Sequence, residues 1–446
     1  MSVSFKGGVK IQFDSDKIRS FDSKPVMPCS KLYFPLISKS GVSYIPVVKA
    51  GDSVLLGQKI AFSADNWELP MHSSVSGTVD EITEHLSPAG TVKTIVIKND
   101  ELYTPIENPS IIEDYKSVDK TKLIEILQNS GVSELPTGDF LCGDTFISMP
   151  PKYLIINAAE GEPYKAAASR RIAENATEIA EGCKIVQYLL GIKNIYWVME
   201  SDFREGINAA AGAIRFDESM NIITVKPKYP QNCDAMIVKA VLGRSIPKGK
   251  TPSEAGCLII SPEVLYQIRN VLKTGLPVTE TMVSIGGNVL SLADNYRVSL
   301  GTPIAALTAQ TDSAAGDADK IFMNSLIGGE ELPSKNIPIT KDITAVMLIS
   351  YSSKKRKVSP VPENQKRCIR CGRCVINCPA GLMPFKISNA SIDYRPSKAM
   401  KYHSSDCIGC GVCSYVCPAG IPLAENIASI NDSIERLYTK EGSVDE

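Results

Sequence analysis

The spacing of apolar and polar positions changes several times along the chain. Residues 1 to about 100 contain short runs of β-branched residues, such as residues 94–97, separated by glycine turns at Gly41, Gly51 and Gly77. Such runs between turn signals are typical of short β-strands. We therefore predict a small β domain over residues 1–105.

A second region has a different period. Residues 122–129 and 166–190 show the apolar spacing of helices, whereas residues 153–157, 195–199 and 222–225 are apolar runs of strand length. Strands that alternate with helices favour a parallel α/β layer structure. We place this domain at residues 115–268.

Short strands return in residues 269–350, where turns are expected at Gly286-Gly287 and Gly301. The segment 353–365 is charged and then rich in proline, which is typical of a linker. A cysteine-rich domain follows at residues 358–446. The predicted fold class is therefore multidomain, with α/β and β parts and a small C-terminal domain.

Composition narrows the functional classes. The 446 residues are 43% hydrophobic and 22% charged, which is ordinary for a globular protein. The formal net charge is -1, from 48 basic and 49 acidic residues, which argues against a broad nucleic-acid surface. No apolar run approaches the ~20 residues of a membrane helix, and MSVSFKGGVK lacks the apolar core of a signal peptide. We expect a cytoplasmic protein without a membrane span.

Cysteine spacing is the sharpest signal. Of the 13 cysteines, eight form two copies of C-x2-C-x2-C-x3-C-P. In this motif three thiolates bind one [4Fe–4S] cluster and the fourth binds the other. We also expect the fourth cysteine of each copy to begin a helix. The predicted ligand sets are the first quartet, Cys368, Cys371, Cys374 and Cys417, and the second quartet, Cys407, Cys410, Cys413 and Cys378.

Zinc is the alternative for these cysteines. Zinc sites usually join two C-x2-C pairs into one tetrahedron and do not need the third cysteine or the terminal C-P. The spacing therefore favours two [4Fe–4S] clusters. Basic residues surround the first copy (Lys366, Arg367, Arg370 and Arg373), whereas only Asp406 flanks the second. Positive charge favours the reduced cluster, so we expect the first cluster to have the higher potential.

Several further segments, taken in order, resemble the RnfC-like family, which is related to the flavin-carrying 51 kDa subunit of respiratory complex I. They are PMHSSVSGTV (residues 70–79), YLIINAAEGEPY (153–164), KYPQ (228–231), GLPVTETMVSIGGNV and NYRVSLGTP within 272–305, and the double ferredoxin motif. The resemblance implies an N-terminal barrel-sandwich hybrid, a Rossmann-like domain of the 51 kDa type, a β-grasp (SLBB) domain and a two-cluster ferredoxin domain.

The same resemblance implies that Asn157, Glu160 and Glu162 contact flavin or nicotinamide, which makes FMN and NADH candidate cofactors. Two departures argue against NADH. Residues 131–146 lack the family's glycine-rich stretch, whose backbone N–H groups approach the cofactor. Asn232-Cys233 stands where the family usually has two glycines. Because the altered loop contains Cys142, that thiol is a candidate redox group, and Cys233 is a weaker one.

Three functions follow from these observations. The first is an electron-transfer protein that passes electrons through two [4Fe–4S] clusters to a protein partner. Among RnfC-like proteins the altered loops resemble those associated with amino-acid reductases, including proline reductase. The alternative is an NADH-dependent flavin and iron–sulfur subunit of an Rnf complex, peripheral to the inner face of the membrane, or a cobalamin reductase. The third is a scaffold whose clusters only hold the C-terminal domain together.

Overall fold

A computed structural model describes most of the chain. The described residues are 2–11, 15–27, 29–63, 70–107, 109–132, 151–246, 250–290, 293–311, 318–327, 329–351 and 367–441. Helix α1 (Ser15–Ser20) and strand β1 (Lys24–Pro25) come first. No helix in the described ranges is both long and apolar enough to cross a bilayer.

The N-terminal domain consists of two small sheets that pack face to face. Its strands are β2 (Lys31–Pro35), β3 (Tyr44–Pro46), β4 (Ser53–Val54), β5 (Lys59–Ser63), β6 (Met71–His72), β7 (Gly77–Ser87) and β8 (Gly90–Asn99). The sheet orders are β2-β8-β7-β4 and β3-β5-β6, with antiparallel pairing throughout. Alternate side chains such as Leu32, Ile60 and Ile95 fill the space between the sheets, as half-buried strands require.

The second domain is a parallel sheet with helices around it. Its elements are a 3₁₀ turn (Tyr115–Ser117), α2 (Lys120–Asn129), β9 (Tyr153–Ala158), α3 (Ala167–Leu190), β10 (Asn194–Glu200), α4 (Arg204–Ala213), β11 (Met220–Val225), α5 (Asp234–Leu242), β12 (Cys257–Ile260) and α6 (Pro262–Thr274). The strand order is β11-β10-β9-β12, so the chain adds β10 and β11 on one side of β9 and then returns to place β12 on the other side. In such sheets ligands bind outside the carboxyl ends of the strands at that reversal.

Packing within this domain follows from its sequence. Strands β9 and β12 are apolar without alternation, because helices cover both faces of the sheet. Helices α3 and α6 approach closely at Gly182, where an added Cβ would lie 2.1 Å from the carbonyl oxygen of Leu265. Only glycine permits that close approach. The packing fixes the position of α3, and the loop after β9 ends where α3 begins.

The described residues of the third domain form a mixed sheet and a short helix. Its elements are β13 (Glu280–Gly286), β14 (Asp294–Ser299), α7 (Ile304–Ala309), β15 (Lys320–Met323), β16 (Glu330–Leu332) and β17 (Ala345–Ile349). Including β1, the order is β1-β14-β13-β17-β15-β16, with β13 parallel to β17 between two antiparallel hairpins. A central parallel pair between two hairpins is the arrangement expected of a β-grasp sheet.

The C-terminal module is helical and holds both cysteine motifs. Its elements are α8 (Arg373–Ile376), α9 (Pro384–Ile392), α10 (Pro396–Lys401), a 3₁₀ turn (Ser404–Asp406), α11 (Val412–Tyr415) and α12 (Leu423–Glu441). The prediction that the fourth cysteines begin helices is wrong. Cys378 and Cys417 each follow a one-turn helix, and each precedes a proline, which disfavours helical backbone at the preceding residue.

Residues 2–11 form an N-terminal strap that contacts two distant regions. Val3 bridges to Val225 at the edge of the parallel sheet, and Val9 pairs with Tyr229. The backbone N–H of Gly8 donates to the carbonyl of Asn377 at 2.9 Å, beside the fourth cysteine of the first motif. The strap therefore ties the cysteine module to the α/β domain.

Candidate functional site

The eight motif cysteines surround two separate cavities in the C-terminal module. The first quartet lines a cavity of about 100 Å³, and the second quartet lines one of about 20 Å³. Each cavity thus receives three cysteines from one motif copy and one from the other. The identity of the ligands stays a prediction, but the structure brings together the same four residues as each predicted set.

The chemistry of the second quartet suits a positively charged metal centre. Burial, together with the charges of neighbouring motif cysteines, raises the pKa of the Cys410 and Cys413 thiols to about 12. Four adjacent thiolates are therefore unfavourable unless metal charge compensates them. Within the described ranges, no three His, Cys, Asp or Glu side chains are grouped as a single metal ion would require.

The one-turn helices before the fourth cysteines begin in the same way. Gly372 and Gly411 precede them with φ of 76° and 72°, in the left-handed region that favours glycine. Gly411 also packs against Ile327 of the third domain, where an added Cβ would lie 3.0 Å from the Ile327 side chain. Glycine thus permits both the turn and the close packing of the second motif.

The two quartets have different surroundings. Cys368 and Cys371 of the first quartet are exposed, whereas every member of the second quartet is buried or half-buried. Pro379, beside Cys378, accepts a hydrogen bond from Lys239 Nζ of the α/β domain at 3.2 Å. The second quartet therefore lies toward the α/β domain and the first toward solvent.

Two of the predicted cofactor residues hold loops in place. Asn157 lies at the carboxyl end of β9 and donates through Nδ2 to the carbonyl of Asn232 at 2.9 Å. Glu160 is buried, and its Oε1 accepts from the backbone N–H groups of Ala168 and Ser169 in the first turn of α3. A carboxylate there satisfies donors that the helix itself leaves free.

Glu162, the third predicted residue, has an oxygen without a protein partner. Its Oε1 accepts from Asn232 Nδ2 at 2.9 Å, while its buried Oε2 has no hydrogen bond. Burial raises the pKa of Glu162, and the nearby Lys165, Ser325 and Asn232 side chains partly oppose this rise. The free oxygen marks a place where a polar ligand would be accommodated.

The residues after the cis Tyr229-Pro230 bond complete this place. Gln231 is fully buried and both polar atoms of its side-chain amide lack partners, as does Oδ1 of Asn232. Burial raises the pKa of Asp234, at the start of α5, to about 6. We call Glu162, Gln231, Asn232 and Asp234 the polar cluster. Sequence reasoning placed KYPQ in a family motif but assigned it no site role.

The acidic loop and this turn are held against each other by backbone contacts. Gly161 has φ of 62°, and an added Cβ would lie 2.9 Å from the carbonyl oxygen of Lys228. Its N–H donates to Glu200 Oε1 at 2.8 Å, at the carboxyl end of β10. The loop after β9 therefore fits only because position 161 is glycine.

One turn connects the polar cluster with the second quartet. Burial raises the pKa of Tyr229, and the negative charges of Glu162, Cys410 and Cys233 raise it further. These groups therefore lie close enough to interact. Burial also raises the pKa of Cys233, which disfavours its thiolate. Tyr229 thus lies within electrostatic range of both the acidic loop and the second quartet.

Cys142, the predicted redox thiol, lies outside the described residues, as does most of the altered glycine loop. The start of that loop is described: Gly131 is left-handed, and its carbonyl accepts from Lys341 Nζ. Burial lowers the pKa of Lys341 to about 8. The third domain therefore contacts the base of the loop.

Three domain families match the chain. Residues 3–102 match the RnfC barrel sandwich hybrid domain, residues 111–271 the Nuo51 FMN-binding domain, and residues 367–421 the 4Fe-4S dicluster domain. The C subunit of the ion-translocating oxidoreductase complex from Haemophilus influenzae strain PittEE is 30% identical over 453 residues, covering 99% of this chain and 68% of its own length. The chain belongs to the RnfC-like family.

Other relatives agree with this assignment. The C subunit of the Na(+)-translocating ferredoxin:NAD(+) oxidoreductase complex from Acetobacterium woodii is 27% identical, with 87% of each chain covered. The chain spans 54% of the length of the corresponding C subunit from Haemophilus influenzae strain Rd. An NAD+-reducing [NiFe]-hydrogenase chain has a similar fold, with a TM-score of 0.50, 13% identity, and coverage of 74% of this chain and 65% of its own.

These matches decide several predictions. The multidomain fold class, with its barrel-sandwich hybrid and 51 kDa-type domain, is confirmed. The dicluster match confirms two [4Fe–4S] clusters in place of zinc. The chain is an iron–sulfur electron-transfer subunit of the RnfC-like type. The limits of the four domains, the individual ligands and the roles of Asn157, Glu160 and Glu162 stay predictions.

Proposed function

We propose that this subunit accepts electrons at its α/β domain and delivers them to a protein partner from its cysteine module. The observation that carries the proposal is the Tyr229–Cys233 turn, which donates a hydrogen bond to Glu162 through Asn232 and interacts electrostatically with Cys410 through Tyr229. A donor bound at the polar cluster would thus lie next to the second quartet. Bound [4Fe–4S] clusters supply the storage of single electrons that such transfer requires.

The two quartets are our proposed cluster ligands. Each places four thiols around one cavity, and among the described residues that line the second cavity no basic side chain compensates the charge of the thiolates. Because Cys378 belongs to the first motif but lines the second cavity, each motif depends on the other. Mutation of one cysteine should therefore disturb the cavity that this cysteine lines, even where the other three lining cysteines belong to the other motif.

The polar cluster is our proposed flavin site. Glu162, Gln231 and Asn232 together present four buried polar atoms without partners, and buried polar atoms in native proteins are normally hydrogen-bonded. A flavin is polar along one ring edge and along its ribityl chain, so these residues would hold and orient it. Bound FMN would accept two electrons from a donor and pass them on one at a time. Asn157 and Glu160 would act by fixing the two loops.

Two kinds of partner are compatible with the family. The relatives are named as subunits of ion-translocating and ferredoxin:NAD(+) oxidoreductase complexes, which supports an Rnf-type complex that exchanges electrons with a nicotinamide nucleotide. The second candidate is an amino-acid reductase such as proline reductase. It rests on the altered turn, in which Asn232 stands where the family usually has glycine and its side chain donates to Glu162.

An anaerobic absorption titration tests the proposal. Purified, cluster-reconstituted protein is assayed for released flavin and then titrated with NADH and, separately, with dithionite. Flavin together with NADH-driven bleaching of the clusters supports an NADH-oxidising subunit. Bleaching by dithionite alone, without flavin, supports a relay whose donor is another protein or a thiol. Failure of dithionite to reduce either cluster contradicts electron transfer and favours the scaffold.

A matched variant separates the two partners. Asn232→Gly with Cys233→Gly restores the usual family residues and removes the hydrogen bond to Glu162. If the altered turn blocks NADH, the variant should gain NADH-driven bleaching that the wild type lacks. Glu162→Ala in the same background should abolish that gain. A variant that bleaches no faster than the wild type argues that residues 131–146 set the difference.

A further inference from the structure

The two cysteine motifs differ at one strained backbone position. Arg370 has φ of 56°, and Gly409, its counterpart in the second motif, has φ of 68°. Left-handed backbone is unfavourable for any residue with a side chain, which is why glycine usually occupies it. The first motif keeps an arginine there despite this penalty. Strain retained at one copy of a repeat points to a use for its side chain.

Exposed basic residues lie near Arg370 in the first motif. Residues 367–392 contain four basic and no acidic residues, and Arg367, Arg370 and Arg373 are all exposed. The counterparts of Arg367 and Arg373 in the second motif are Asp406 and the buried Val412. Positive charge is therefore specific to the first motif and not a property of the repeated backbone.

Apolar side chains lie among these arginines. Ile369 and Ile376 are 66% and 72% exposed. Ile369 and Arg370 line the same cavity as the first quartet, and Ile376 lies three residues after Arg373 on one face of α8. Exposed Cys368 and Cys371 are in the same segment. An apolar centre with a basic rim is the usual composition of a protein-docking surface.

We propose that this arginine face, Arg367, Ile369, Arg370, Arg373 and Ile376, docks an acidic electron-carrier protein of the ferredoxin type over the first quartet. The inference rests on the proposed function, because docking here matters only if electrons leave or arrive at the first quartet. Charge complementarity identifies the partner: arginines form paired hydrogen bonds with carboxylates, and a basic patch accelerates encounter with an acidic protein.

The same face could in principle contact an anionic membrane, since arginine and isoleucine also suit lipid headgroups and their boundary. The position of the exposed cysteines favours a protein. A redox protein docked there would approach the first quartet closely, whereas a lipid surface would cover the quartet without exchanging electrons. Lipid binding is therefore an outcome that contradicts the proposal.

Binding to an acidic bacterial two-cluster ferredoxin tests the proposal without turnover. The full-length, cluster-loaded protein is passed over immobilised ferredoxin at low and high salt. We expect wild-type affinity to fall with salt, and Arg370→Glu with Arg373→Glu to lose on the order of tenfold or more. The control, Lys193→Glu with Arg215→Glu, makes the same charge change at exposed residues of the α/β domain and should bind like the wild type.

Arg370→Gly separates docking from folding. Glycine relieves the left-handed backbone, so the unfolding midpoint should stay equal or rise while ferredoxin affinity falls severalfold. Equal loss of affinity in the control variant, or unchanged affinity in Arg370→Gly, overturns the proposal. So does binding of the wild type to phosphatidylserine vesicles that is lost in Arg370→Glu/Arg373→Glu while ferredoxin binding is absent.

The result of the ferredoxin-binding assay does not depend on which electron donor the protein uses. Dithionite and NADH titrations of each variant report the proposed function, whereas the binding assay reports the surface. Ferredoxin binding that depends on Arg370, in a protein whose clusters NADH cannot reduce, would retain the docking surface and reject NADH as donor. Clusters that reduce normally without any ferredoxin binding would retain the proposed function and reject the surface.

Discussion

The cysteine module and the polar cluster place their groups by different means. In the module, each cavity is lined by residues close in sequence, from one segment of about 60 residues. In the polar cluster, Glu162 meets Asn232 across 70 residues of chain, and Asn157 meets Asp234 across 77. The first arrangement depends on short-range backbone geometry, and the second on a completed sheet.

This difference determines what each region tolerates. The module needs its cysteines, left-handed glycines such as Gly372 and Gly411, and a small helical core, all of which are local. The polar cluster needs the carboxyl end of β9, the cis turn before α5 and a glycine between them. Damage to the module should therefore remove a metal site, whereas damage to the cluster should first separate two loops. The following changes distinguish these cases.

Cys378→Ala should have the largest effect. Although Cys378 belongs to the first motif, it lines the second cavity, so we expect loss of the second cluster and about half of the iron. Iron analysis and electron paramagnetic resonance of the reduced protein measure this. Cys29→Ala, in the N-terminal barrel, should keep all the iron. Loss of the first cluster alone would show that each motif binds its own cluster.

Gly161→Ala should separate the acidic loop from the turn. The new Cβ would be strained at φ 62° and would clash with the Lys228 carbonyl, so we expect about 2 to 3 kcal/mol of destabilisation in urea unfolding. Gly191→Ala is the matched control, since φ is 68° there but no atom lies within 4 Å of the added Cβ. It should lose only about 1 kcal/mol. Equal losses would mean that the loop contact contributes nothing.

Asp234→Asn should change the pH dependence of stability. Burial raises the pKa of Asp234 to about 6, so between its ordinary value and about 6 the folded state binds more protons than the unfolded state. The carboxyl therefore favours folding at low pH, and that contribution is lost as pH rises through about 6. Between about pH 5 and about pH 7, the free energy of unfolding of the wild type should fall by about 1 kcal/mol relative to that of the variant. Parallel pH profiles in urea unfolding would contradict this.

Arg373→Gln should produce the smallest effect. Removing positive charge beside Cys374 disfavours the reduced first cluster, so its potential should fall by tens of millivolts. The second cluster should stay unchanged, as should both potentials in Lys398→Gln. A potentiometric titration followed by electron paramagnetic resonance resolves the two clusters. A higher potential for the second cluster in the wild type would contradict the expected order.

The sequence predicted those features that depend on neighbours along the chain. The quartets, the alternation of β9 to β12 with their helices, and the two glycine turns of the motifs all follow from local spacing. The prediction that the fourth cysteine of each motif begins a helix was wrong, because Pro379 and Pro418 disfavour helical backbone at the residue before them. The motif repeat was visible, but the left-handed strain at Arg370 needed backbone angles.

The polar cluster could be predicted only in part. Glu162 was identified through its family motif, but nothing in the sequence shows that Glu160 caps α3 or that Gln231 is buried without partners. Those properties depend on which strand ends meet in the finished sheet. The electrostatic interaction between Cys233 and Cys410 likewise joins two domains, and no local pattern encodes it.

The N-terminal strap has a consequence for the order of folding. Val3 and Val9 pair with residues 225 and 229, and Gly8 bonds to Asn377, so the strap contacts regions more than 200 and more than 350 residues later in the chain. Because loop-closure entropy opposes such non-local contacts, we expect them to form late, after the sheets that supply their partners. The strap would thus engage the cysteine module only on a completed α/β sheet. Its closure would mark a finished subunit, ready for assembly.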